Sequence, residues 1–155
     1  MKNPSHSRPF AVSTLIFLQI FLGLNGMLGG GAFLLAPDGS LLQMPFSHLE
    51  KTPFPDFFIP GLLLFLFLGV YPIVVAYSLW KRPVWRWPDA FNPFKDFHWS
   101  WAASLSAGVI SMIWIVIQII WIPVGFLHIF VFGWGALIVI VTLLPIVRHY
   151  YRRKI

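Results

Sequence analysis

Five polar side chains in this sequence have the types and positions to do chemistry. His48, Glu50 and Asp56 share one segment, and Gln118 and His128 stand on either side of a Pro123–Val124–Gly125 turn. An imidazole beside a carboxylate can move a proton or ligate a metal. Brought together, the five would line one polar pocket. A plainer role for His128 is a hydrogen bond to a carbonyl of the turn, or a reach toward a membrane interface. No metal and no other cofactor is expected. The chain has no cysteine, which removes disulfides, thiolate nucleophiles, Cys-bound zinc and iron–sulfur clusters.

Apolar runs set what must position these residues. Hydrophobic residues make up 58% of the 155 and charged residues 10%, against about 25% charged in a soluble domain. Stretches 9–37, 57–80 and 97–147 lack Asp, Glu, Lys and Arg altogether. A spanning helix needs roughly 20 apolar residues, so the first two stretches hold one crossing each. The third would be roughly 76 Å long as one helix, and must be a hairpin broken at Pro123–Gly125. The expected fold class is all-α: an integral membrane four-helix bundle, one domain over residues 1–155. Its helices are expected at about 10–35, 59–80, 99–122 and 126–147, with kinks at Pro72 and Pro145. The apolar run from Phe10 exceeds the roughly 7–15 residues of a signal-peptide core and reads as an uncleaved first span.

The charges orient such a bundle. Lys2 and Arg8 precede the first span, Lys81, Arg82, Arg86 and Lys95 follow the second, and Arg148, Arg152, Arg153 and Lys154 follow the fourth. All fall on one side, with only Lys51 opposite, so both termini are expected in the cytoplasm. The net charge of +6 is then a property of loops facing anionic lipid, with Lys81, Arg82, Arg86, Arg148, Arg152, Arg153 and Lys154 as headgroup contacts. No base-reading motif is present, and no nucleic-acid partner is expected. Trp80, Trp85, Trp87, Trp99 and Trp101 fall at the inner interface and Trp121 near the outer one; only Trp114 and Trp134 fall mid-span.

Small residues mark the packing faces. Gly23, Gly26 and Gly30 share one side of the first span, and Ala103, Ala107 and Ser111 recur every four residues in the third. They serve contacts within the bundle or between copies of it. The outer loop, 41–58, is partly apolar and proline-broken. It is expected to lie in the outer interface or to fold over the bundle mouth, as a static cover or a lid, with a short helix starting at Ser47 through a capping box to Glu50. No span contains a carboxylate or a cation, which counts against proton-coupled transport.

The stretch Glu50-Lys51-Thr52-Pro53-Phe54-Pro55-Asp56-Phe57-Phe58-Ile59-Pro60-Gly61-Leu62 resembles a segment of small bacterial four-span membrane proteins without assigned activity. Asn25-Gly26 with Gly29-Gly30-Gly31 is similar too. The resemblance implies a bacterial inner-membrane location and carries no residue role. The leading expectation is a non-enzymatic membrane protein, an accessory subunit or a lipid binder, alone, as a homo-oligomer or with a membrane protein partner. Facilitated transport of a small or apolar solute comes next, and a lipid-modifying enzyme using His48, Glu50, Asp56 and His128 last.

Overall fold

The computed structural model describes residues 7–153; Lys2 and Lys154, among the expected cytoplasmic cations, lie outside them. It is all-helical. Helix α1 spans Phe10–Leu35 and α2 spans Phe58–Lys81. After a short α3, Arg86–Ala90, come α4, Trp99–Trp121, α5, Phe126–Leu143, and α6, Pro145–Tyr151. Helices α1, α2, α4 and α5 are long and apolar enough to cross a membrane.

Prolines explain most boundaries. Pro9 precedes α1, and Pro37 follows its last residue by two. A residue before proline is pushed out of helical geometry, and Leu144, before Pro145, has φ −55° and ψ 136°. The helix expected to run to Val147 therefore stops at Leu143, and the kink expected at Pro145 is a complete break. Proline suits the first turn of a helix, so α6 restarts at once.

Pro72 acts differently. Inside α2, residues Leu64–Val70 form a π-helical segment, closed by the Tyr71 N–H bonding the Leu66 carbonyl. A proline ring collides with the carbonyl four residues back and leaves it without a donor. The wider π turn displaces that carbonyl, and the helix continues through Pro72.

Glycines fix the pairing. The Gly23, Gly26 and Gly30 side of α1 lies on the backbone of α2 around Gly61, Phe65 and Gly69. Gly108 and Ser111 of α4 meet Gly135 of α5 in the same way. Ala107 is buried beside them, while Ala103 is half-buried and offers its carbonyl to the Tyr71 hydroxyl, 3.3 Å away.

The end that holds both described termini is tightly closed. Val12, Leu15, Val75, Leu79, Ile138 and Val147 are buried there together. Tyr151 is buried with them and donates its hydroxyl to the Leu79 carbonyl at 2.7 Å. The loop 82–98 folds onto this end through stacked rings: Trp85 on Trp99 at 5.4 Å and Phe97 on Trp101 at 4.5 Å. Asn92 is buried and holds the turn, donating to the carbonyls of Phe94 and Phe97.

Candidate functional site

Between the two helix pairs the interior changes from polar layer to open cavity. The polar layer comes first. Gln19, Ser104 and Thr142 are fully buried. The Gln19 amide donates to Ser104 Oγ at 3.0 Å, and Thr142 Oγ1 donates to the Ile138 carbonyl at 2.7 Å. That leaves Ser104 as the donor in its 2.9 Å contact with Thr142 Oγ1. The hydroxyl protons thus have one consistent direction. Gln19 Oε1 has no partner among the described residues. Just beyond, Trp134 Nε1 donates to the Leu18 carbonyl at 3.0 Å, and its ring lies 4.3 Å from that of Phe21.

Past this seal, toward the loop 36–57, α1 and α2 part from α4 and α5 around a cavity of about 680 Å³. That volume lies in the range of small-molecule sites, roughly 300–1,000 Å³. Its wall is apolar, with Leu22, Leu68, Trp114, Ile115, Phe130 and Trp134 among the lining residues, and no Asp, Glu, Lys or Arg lines it. Leu28, Phe126 and Leu127 also border it and are largely exposed, so the cavity opens sideways between α1 and α5.

The polar groups on the wall are Asn25, His48, Gln118 and His128. Three of the five residues singled out in the sequence therefore border one space. His128 turns its Nδ1 to accept from the Gly125 N–H at 3.1 Å, not to a carbonyl. With Nδ1 as the acceptor, Nε2 is the ring's donor. His48 places Nδ1 3.0 Å from Met44 Sδ. Asn25 donates back to the Phe21 carbonyl at 2.8 Å, which leaves its own carbonyl oxygen as an acceptor.

The two carboxylates stand apart from this group. Glu50 is exposed, and Asp56 accepts from the Phe58 N–H at 2.9 Å at the start of α2. Neither lines the cavity, and neither bonds a histidine among the described residues. The short helix expected at Ser47 is a single 3₁₀ turn, Phe46–His48, without a side-chain cap. The loop is held instead by the Phe57 ring stacked on Phe33 at 4.9 Å and by buried Leu49. Leu42, Met44 and His48 of this loop complete the cavity wall.

Trp114 and Trp134 fall mid-span, and nothing in their spacing assigns them a role. Both line the cavity. An amphipathic ring away from its preferred interfacial depth was the available signal, together with the mid-helix Asn25.

At the opposite end the cations are held by rings and carbonyls. Lys81 lies over Trp80 at 4.1 Å, Arg82 over Tyr150 at 4.6 Å and Arg148 over Phe97 at 5.6 Å. Arg8 donates to the Trp80 carbonyl at 3.1 Å, and Arg86 and Arg152 are exposed. Arg153 pairs with Asp89 and holds that carboxyl below its usual range. His98 caps α4 by accepting from the Ser100 N–H at 3.3 Å. Burial lowers its pKa, helped by Arg153 and Arg82 and opposed by the Pro83 carbonyl and Asp89. Protonating Nδ1 would also cost α4 this cap.

Compared with known proteins, the chain matches no family model, no curated protein and no solved structure.

Proposed function

We propose that this is a multi-pass protein of the bacterial inner membrane, with both termini cytoplasmic, that binds one lipid-like or other neutral apolar molecule in its outer-leaflet cavity. The observation that carries the reading is the cavity of about 680 Å³ with an uncharged, largely apolar wall and a lateral opening. Burial of apolar surface drives such a ligand in, and His128 Nε2, Gln118 and Asn25 offer hydrogen bonds to a weakly polar group. Binding is favoured over passage because the Gln19–Ser104–Thr142 layer and the packed core beneath it close the route to the other side. It is favoured over acid–base catalysis because Glu50 and Asp56 stay outside the cavity wall. The protein acts as a lipid-binding or accessory subunit, its basic end against anionic headgroups.

Native mass spectrometry of the chain released from its own membrane tests the binding. The wild type retains one small molecule or lipid in this cavity. Val131→Trp and Gly29→Leu place bulk on its wall and lower that retention at least about tenfold, the loss of roughly 1.4 kcal/mol of contact. Full retention in both variants would sink the assignment.

Orientation has its own measurement. A cysteine at Ser40 is expected to label from outside intact cells, and one at Phe91 only after permeabilisation. Both positions are exposed, whereas Asn92 is buried and structural. The reverse labelling would invert the topology.

A further inference from the structure

A second cleft, of about 390 Å³, sits at the basic end and is lined by Asp96, Phe97, Pro145, Arg148, His149 and Arg152. Its frame is fixed by backbone. Phe97 and Arg152 form an antiparallel bridge, the His98 N–H donates to the Tyr151 carbonyl at 2.9 Å, and the Arg153 N–H donates to the Asp96 carbonyl at 2.8 Å. Buried Val147 and Tyr151 anchor α6 from behind. The break at Leu144 is what brings Arg148, His149 and Arg152 round to Asp96.

The charges in this cleft do not satisfy one another. Among the described residues the one ion pair joins Arg153 to Asp89. Among those residues Arg148 and Arg152 meet no carboxylate and Asp96 meets no cation, although all three line the same space. Two arginines and an aspartate lining one cleft complement a ligand that carries an anion and a cation a few bonds apart. A guanidinium offers planar, forked donors that suit phosphate. The cleft begins where α5 ends, at the depth of lipid phosphates for a helix that spans, and exposed Leu143, Leu144 and Ile146 flank its Pro145 along the chain.

We propose that this cleft holds the headgroup of one phospholipid bearing both a phosphodiester and an ammonium, with Arg148 and Arg152 on the phosphate and Asp96 on the ammonium. This rests on the membrane-spanning reading but not on occupation of the other cavity.

The test uses the full chain in nanodiscs of equal phosphatidylethanolamine and phosphatidylglycerol, released for native mass spectrometry. The wild type is expected to retain one phosphatidylethanolamine, preferred at least about fivefold, as one charge-assisted contact allows. Asp96→Asn is expected to bring the two lipids to parity. Arg148→Lys with Arg152→Lys keeps the charge but loses the fork, and is expected to weaken retention about threefold or more. Equal retention of both lipids by the wild type, or an unchanged preference in Asp96→Asn, overturns the proposal. So does Val131→Trp removing this lipid, which would place it in the other cavity. If chain-free glycerophosphoethanolamine displaces the lipid at equal concentration, the ligand is a soluble phosphodiester and the lipid assignment falls.

Discussion

Valine in place of Gly26 will strip the membrane of most folded protein, while valine in place of Gly133 will not. A β-carbon at Gly26 would fall on the Leu68 carbonyl and within 2.6 Å of the Gly69 nitrogen. Both are backbone atoms, so nothing can rotate away. The α1–α2 pair must separate or the π segment must reform. Overpacking of this kind costs about 1–3 kcal/mol, and here it strikes the closest contact of two helices. Lipid offers no hydrophobic drive to hold them together otherwise. The expected loss of folded, monodisperse protein is at least about tenfold, read by fluorescence-detected gel filtration of membrane extracts. At Gly133 an added β-carbon meets no heavy atom within 4 Å, and the level should hold. Equal levels for both variants would mean that the glycine face of α1 does not pack as described.

Ser104→Val should cost about 2 kcal/mol, and adding Gln19→Leu should return most of it. The serine hydroxyl is the side-chain partner of a fully buried amide. Removing it leaves that amide only its long 3.4 Å contact to the Ser104 carbonyl, while its oxygen already lacks a partner among the described residues. Removing the amide as well replaces it with an apolar group of similar volume, and the penalty goes with it. Unfolding in mixed micelles, run as a double-mutant cycle, gives the coupling. Additive effects of the two changes would show that Gln19 and Ser104 do not share a hydrogen bond.

The four apolar helices were legible because composition alone dictates them: runs without charge, long enough to span, punctuated by proline. What proline does at each place was not legible. Pro145 ends a helix because the residue before it is free to leave helical geometry. Pro72 does not, because a π turn is available on the side where α2 meets glycine. The polar constellation was half visible. His48, Gln118 and His128 border one cavity, since the turn at Pro123–Gly125 returns α5 beside α4. Asp56 was drawn off by a local bond to the Phe58 N–H, the ordinary competition of a short acidic side chain for nearby backbone. The cavity itself left only a faint mark in the sequence, the mid-span Trp114, Trp134 and Asn25 that line it. It comes from two tightly paired helix sets that meet at one end and part at the other. The separated charges of Asp96, Arg148 and Arg152 were hidden, because the break at Leu144 creates their proximity.

The π segment of α2 has an evolutionary corollary. Deleting one residue from the interior of an α-helix turns everything beyond it by about 100° and scrambles its contacts. A π turn carries one residue more than the α turn it replaces. A one-residue deletion within Leu64–Val70 would therefore restore a plain helix with Gly61 on one side and Val75 and Ala76 on the other still facing their partners. Only the Pro72 ring would then strike the carbonyl behind it. The extra residue and the proline should accordingly be gained and lost as a pair in the descent of this chain. Single-residue length variation in its second helix belongs at this one place.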